Sequence, residues 1–346
     1  MQEEVLASVM ANPRVVPDLQ IWGWQIATYL FLGGFAAGLM VFSGWAIVSG
    51  REEQAPFAAT RAPLVALGGL AVGMTTLFLD LEHKINVWRF YTTLQVTSPM
   101  SWGSWVLLLV MPALALLAIA GLPRAVPPLE RWLEGLPFAG PRIIAPVFRL
   151  CFAWRRPLAA VNIGLGIALG IYTGILLSAF NARPFWHSAL LGPLFLISGL
   201  STGAAAIVLG AGEPRERHLF GRLDLGLIAV EMALVGLFVI DMLNGNALQQ
   251  AAVARVLNGN MSSLFWFGFI GLGLGVPAVL EAAMWRRAAA PIAMAAALLV
   301  LGGGYLLRHI VVATGQQTSW TQLHNQFDPA LLERLRGDGP DPDGRF

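Results

Sequence analysis

The chain predicts an all-α integral membrane protein of eight transmembrane helices. Three observations carry that prediction. Of 346 residues, 56% are hydrophobic and only 12% charged, a balance outside the range of ordinary soluble domains. Eight apolar stretches each run for at least 19 residues, enough to cross roughly 30 Å of hydrocarbon at about 1.5 Å per residue. The 38 glycines concentrate inside these stretches, as in GGFAAG, GLSTGAAA and GLGLG. Small residues let helix backbones approach closely in lipid, so they point to a packed bundle.

The elements follow in chain order. Residues 1–20 are polar, with Glu3, Glu4, Arg14 and Asp18, and lack an apolar core, so no cleavable signal peptide is expected. Span one covers 21–48. Span two, 62–80, ends on a carboxylate, Asp80. A polar and aromatic loop follows, and TSPMSWGSW opens span three at 100–122. Trp88, Phe90, Tyr91, Trp102 and Trp105 flank this junction, as expected where the chain leaves hydrocarbon for headgroups. The loop 123–156 carries PPLERWLEGLPF, an amphipathic piece suited to the inner membrane surface. Residues 21–156 with span four (157–181) make a first four-helix unit. Spans five (187–212), six (223–243), seven (261–285) and eight (291–313) make a second. The tail, 314–346, is polar; residues 329–336 suit a helical turn or two, and DGPDPDGRF suits disorder.

The loops after spans one, three, five and seven hold thirteen arginines and no lysine. The positive-inside rule therefore puts both termini outside, periplasmic in a bacterial inner membrane. LFLGGFAAG (30–38) in span one is echoed by LFLISGLSTG (194–203) in span five, and LFLD (77–80) by LFVID (237–241). Both pairs run in the same direction, which suggests two four-helix bundles related by a parallel repeat. Asp80 and Asp241 would then be pseudo-equivalent. A formal charge of +2 with scattered basic residues gives no footprint for nucleic acid. The single cysteine, Cys151, cannot ligate an iron–sulfur cluster, and no motif selects a histidine pair for haem.

Four ordered motifs, WGWQIATYLFLGGFAAG (22–38), LDLEHK…TSPMSWGSW (79–105), YTGILLSAFNARPFW (172–186) and LFLISGLSTGAA (194–205), resemble the NrfD/PsrC family. GGYLLRHIVVATGQ (303–316) extends the likeness. Where that family carries a Gly-Arg-Pro-like turn after the carboxylate, this chain reads Glu82-His83-Lys84. The resemblance implies a membrane-anchoring subunit that binds a quinone, menaquinone or ubiquinone, and holds no haem or iron–sulfur cluster of its own. It also implies an iron–sulfur, ferredoxin-like partner on the outer face, linked to a catalytic molybdenum or multihaem subunit. The competing class is a secondary transporter or proton-translocating membrane protein, for which the repeat and the intramembrane carboxylates would be the substrate and coupling sites.

Candidate residues follow. Quinone chemistry moves protons with electrons, so Asp80 and the nearby His83 are candidates for exchanging them. Arg308, roughly 7 Å below the outer face by helical rise, is a candidate quinone contact, with pairing to Asp80 as its structural alternative. Tyr29 and Tyr172 share one depth in spans one and four. Each can offer a phenol to a quinone carbonyl while its ring packs in an apolar cleft. The resemblance also places quinone-headgroup contacts at these two positions. Trp24 and Gln25, a turn outward, are candidates for the mouth, Trp24 being equally readable as an interface anchor. Glu231, near mid-membrane, and Asp224 and Glu281, nearer the inner face, form a candidate proton path with Asp241 at its outer end. The alternative for each is an ordinary packed or hydrogen-bonded residue.

Overall fold

The computed structural model describes residues 22–81, 83–136, 140–180, 183–284 and 289–318. Among them eight helices are long and apolar enough to cross a membrane. They are α1 (Trp24–Val48), α2 (Ala62–Asp80), α3 (Pro99–Ala125), α4 (Arg155–Ser178), α5 (Leu191–Gly210), α6 (Pro214–Leu243), α7 (Leu264–Ala283) and α8 (Ala290–Gln317). No strand occurs among the described residues. The chain is thus an all-helical, multi-pass membrane protein. The N-terminal segment, Glu82 and the tail from 319 lie outside the described residues.

Prolines and polar residues set the helix starts. Proline occupies the first turn of α2, α3, α6 and α8, where its missing N–H leaves no intrahelical bond unmade. The helix α6 begins nine residues before the apolar stretch does, because PRERHLFGR is helical although polar. Hydropathy marks where chain lies in hydrocarbon, not where the helix begins. Conversely α5 starts at Leu191, four residues after the predicted 187. The first half of α7, Leu264–Gly275, is wound as a π-helix before an α-helical turn from Val276.

The helices close into two rings. In the first, α1 packs on α2, α2 on α3, α3 on α4 and α4 on α1; in the second, α5, α6, α7 and α8 follow the same order. The rings meet where α5 lies against α1 and α4, and α8 against α1. At that seam glycine faces glycine: a Cβ on Gly199 would stand 2.7 Å from the Gly34 carbonyl oxygen. Only a bare Cα permits such an approach. The backbone N–H of Trp22 donates to Gln316 Oε1 and the Gln316 amide donates to the Trp22 carbonyl, both at 2.8 Å. The start of α1 is therefore tied to the end of α8, and both lie on one face of the bundle.

Shorter helices lie between the spans. Pro127–Glu134 realises the amphipathic piece of the 123–156 loop, with Trp132 exposed. Ala247–Leu257, which hydropathy misses, is started by Asn246, whose side chain accepts from the N–H groups of Leu248 and Gln249 while Gln249 reaches back to the Asn246 N–H. That reciprocal capping is visible in the sequence as Asn-x-x-Gln. Two short turns, Lys84–Asn86 and Arg89–Thr92, fold residues 83–98 over the mouth of the first ring.

Candidate quinone cavity and the buried charges

On the face that carries the start of α1 and the end of α8, the first ring forms a cavity of about 380 Å³. Tyr29 from α1, Tyr172 from α4 and Tyr91 from the folded loop all line it, with Phe78, Phe90 and Leu107 among the apolar wall. Three of the four tyrosines in the chain therefore converge on one space. Tyr29 and Tyr172 are both buried. The Tyr172 hydroxyl donates to the Pro99 carbonyl at 2.9 Å. Tyr172 also packs directly on Gly103, where a Cβ would collide with its ring and hydroxyl. No hydrogen bond from the Tyr29 hydroxyl is found among the described residues. Burial pushes the Tyr91 phenol above its ordinary range, so it stays protonated, a donor, through neutral pH.

The loop is held in place by serines at the start of α3. Ser104 Oγ donates to the Phe90 carbonyl at 2.6 Å, and Ser101 Oγ accepts from the Gln95 N–H at 3.0 Å and donates to the Thr93 carbonyl at 3.2 Å. Trp102 Nε1 donates to the Val96 carbonyl at 2.7 Å. These bonds convert a polar loop into one wall of the cavity. They explain why Tyr91 escapes a reading of the sequence, which takes it for an interface aromatic. Only the fold-back of the loop turns it inward, and the serine-rich start of α3 is the one signal of that fold-back in the sequence.

The other sequence candidates separate into distinct places. Asp80 ends α2 half-buried, next to the cavity-lining Leu81 but not itself in the lining. His83 lines a second, more open hollow of about 520 Å³ with Arg89 and Gln95, and shares Leu81, Phe90 and Met100 with the tyrosine cavity. It therefore stands at a vestibule. Trp24 is 56% exposed, as an interface anchor would be, and the Gln25 side chain folds onto Gly23.

Arg308 is not with the tyrosines. It is fully buried at the seam, where Nη1 donates to Ser198 Oγ and to the Gly304 carbonyl, Nη2 donates to the Phe195 carbonyl at 3.1 Å, and the guanidinium lies 5.1 Å over the Phe195 ring. The pairing with Asp80 expected from depth alone is replaced by these partners, because α8 turns Arg308 toward α5 rather than α2. Its neighbour in charge is Glu231, beside Ser198.

Below that pair, Ser201 donates to Asp224 Oδ1 at 2.6 Å, and Asp224 lies against Glu281. Ser198 and Ser201 are about one turn apart on α5, Asp224 and Glu231 about two turns apart on α6. The result is a ladder of carboxylates and hydroxyls inside the second ring. Among the described residues, Asp224 Oδ2, Glu231 Oε1 and Glu281 Oε2 are buried without a hydrogen-bond donor, which points to trapped water or a proton bound on the carboxylates, as between the adjacent Asp224 and Glu281. A small cavity of about 30 Å³, room for about one or two waters, connects Glu281 to Arg217, His218 and Arg222 at the arginine-rich end. Asp241 sits apart, near the other end of α6, accepting from Ser188 Oγ at 2.7 Å. His187 lends its carbonyl to Gln249, and His309 stacks on Tyr305.

Comparison with known proteins gives a consistent result. The family model for polysulphide reductase, NrfD, matches residues 12–319. The C chain of polysulfide reductase from Wolinella succinogenes is 30% identical over 311 residues, covering 86% of this sequence and 94% of that protein. Protein NrfD of Escherichia coli is 30% identical over 311 residues, 86% of this sequence and 96% of its own length. The C subunit of tetrathionate reductase from Salmonella typhimurium is 24% identical over 269 residues, 78% of this sequence and 70% of its own.

Proposed function

The chain belongs to the NrfD (polysulphide reductase) family, and from that premise we propose that it is the membrane-anchoring, quinone-binding subunit of a respiratory oxidoreductase. Relatives named as the C chains or C subunits of reductases support a place in a larger complex; the iron–sulfur partner we propose would dock on the face of the α1 start and the α8 end. That face is periplasmic if the thirteen arginines of the opposite face follow the positive-inside rule.

The observation that carries the reading is the tyrosine cavity. It is concave, mostly apolar and equipped with few convergent polar groups, the usual form of a small-molecule site. The residues fit a quinone. The unpaired Tyr29 hydroxyl can donate to one ring oxygen, while the Tyr172 oxygen, its hydrogen committed to Pro99, can accept from a quinol hydroxyl. Phe78, Phe90 and Leu107 enclose the ring. The bound quinone supplies the two-electron, two-proton chemistry. Tyr29, Tyr91 and Tyr172 orient it, and the loop 83–98 excludes water. His83 and Asp80, at and beside the vestibule, exchange protons with the outside.

Loss of one hydrogen bond at a buried site costs about 1–3 kcal/mol, roughly tenfold to a hundredfold in rate. Tyr29→Phe and Tyr172→Phe are expected to lower quinol-linked turnover by that order. Assembly of the complex, and partner-subunit activity with an artificial dye, should not change. Normal quinol turnover in both variants would move the site elsewhere.

A second, distinct reading concerns the other ring. The buried oxygens of Asp224, Glu231 and Glu281 that find no donor among the described residues support a proton path that opens on the arginine-rich face beside His218. Its upper end is Arg308, across α1 from the tyrosine cavity. The three carboxylates would then hand protons along α6 and α5 rather than deliver them directly to the quinone.

A further inference from the structure

On the arginine-rich face a cavity of about 760 Å³ opens between the ends of α1, α3 and α5 and the beginnings of α2, α4 and α6. Its lining includes Arg61, Arg124, Arg155 and Arg156 together with Glu52, Glu53, Glu213 and Glu216. These charges divide into satisfied and unsatisfied groups. Glu52 takes Arg124 at 3.5 Å and Arg155 at 3.2 Å, and both guanidiniums lie over the Phe152 ring. Glu216 is buried and accepts from the backbone N–H groups of Phe57 and Ala58. Arg61, Arg156, Glu53 and Glu213 are exposed and, among the described residues, make no ion pair.

Two free guanidiniums and two free carboxylates thus share one hollow without closing on each other. A simple anion would meet the carboxylates there, and a simple cation the arginines. A molecule with a phosphate and a primary ammonium a few ångströms apart satisfies both sets. Guanidinium pairs match phosphate oxygens geometrically, and a primary ammonium can donate to carboxylates. The level is that of lipid headgroups: Trp154, the residue before Arg155, is exposed, and Arg51 lies over the Trp45 ring, the pattern of an interfacial aromatic belt. Charged pockets between spans on this face are headgroup sites in other membrane proteins. Pro56 and Phe57 supply an apolar patch in the same lining for the glycerol end.

We propose that this cavity binds the headgroup of phosphatidylethanolamine, its phosphate on Arg61 and Arg156 and its ammonium on Glu53 and Glu213. The inference is independent of the quinone reading, because the cavity lies at the opposite end of the spans.

The test uses the full chain in its purified complex, delipidated in detergent, with thermal unfolding and native mass spectrometry as readouts. Short-chain phosphatidylethanolamine, phosphatidylcholine and phosphatidylglycerol are added in turn, and inorganic phosphate alone. Phosphatidylethanolamine is expected to raise the melting temperature and remain bound, at least tenfold more tightly than phosphatidylcholine, whose quaternary ammonium cannot donate. Arg61→Gln with Arg156→Gln should abolish binding. Glu53→Gln with Glu213→Gln should shift the preference toward phosphatidylglycerol. All four side chains are exposed and unpaired, so melting without lipid should match the native protein and report intact folding. Equal response to the three lipids, equal response to phosphate alone, or unchanged selectivity in both double variants would each overturn the proposal.

Discussion

Tyr172 shows how a single residue type at the right depth becomes a site only through its neighbours. Its hydroxyl is oriented by the Pro99 carbonyl and its ring rests on Gly103. A valine at 103 would place carbon where the phenol now lies, and a well-packed membrane interior relaxes only partly around such an insertion. Gly103→Val is therefore expected to swing Tyr172 out of position and cut quinol-linked turnover about tenfold or more while α3 still inserts. A variant that turns over normally would show that the Tyr172 position is not used. Depth alone brings Tyr29 and Tyr172 together, because helical rise converts residue number into height. It cannot say which way Arg308 points. Height is one coordinate, and the rotation of α8, which sends Arg308 to Ser198 and Phe195, is set by packing that no single span encodes.

Among the elements, the 83–98 loop has the clearest bearing on function. It has no apolar periodicity, yet it is shaped by Ser101, Trp102 and Ser104 projecting from the first turns of α3. Ser104→Ala removes the donor to the Phe90 carbonyl and leaves a partly buried acceptor unpaired, a loss of about 1–3 kcal/mol in local stability. Backbone hydrogen exchange in residues 83–98 should then speed up by about tenfold to a hundredfold, with the spans unaffected. Unchanged exchange would mean that the loop is held by its aromatic packing instead. The spans are legible from apolar length, while their ends are not: α6 runs far into polar sequence, and the π-helical winding of α7 leaves no mark in hydropathy. Glycine spacing there reflects backbone proximity rather than amphipathicity. Gly273 faces Gly303 across the α7–α8 contact, where a Cβ on either would stand 2.6 Å from the Cα of the other.

At the scale of the whole molecule, the two rings divide the chemistry. The tyrosine cavity lies within α1–α4 and the carboxylate ladder within α5–α8, and Arg308 with Glu231 stands at the seam between them. The helix α1 presents Tyr29 to the cavity on one side. On the other it presents Gly34, so close to Arg308 that a Cβ there would stand 2.9 Å from Nη2. If the cavity holds a quinone as proposed, α1 and the charge of Arg308 are the contacts through which the first ring would influence the ladder. Glu231→Gln tests this division. Glutamine keeps the shape and the contact with Ser198 but carries no exchangeable charge, so quinol oxidation by the complex should persist within about twofold. If the ladder moves protons, the number translocated per electron in sealed vesicles should fall, and the uptake lost should be from the compartment facing the thirteen arginines. Uptake from the opposite compartment would reverse the proposed orientation. An unchanged proton-to-electron ratio in well-coupled vesicles would reduce Glu231 to a neutral packing group, hydrogen-bonded at the seam and carrying no proton.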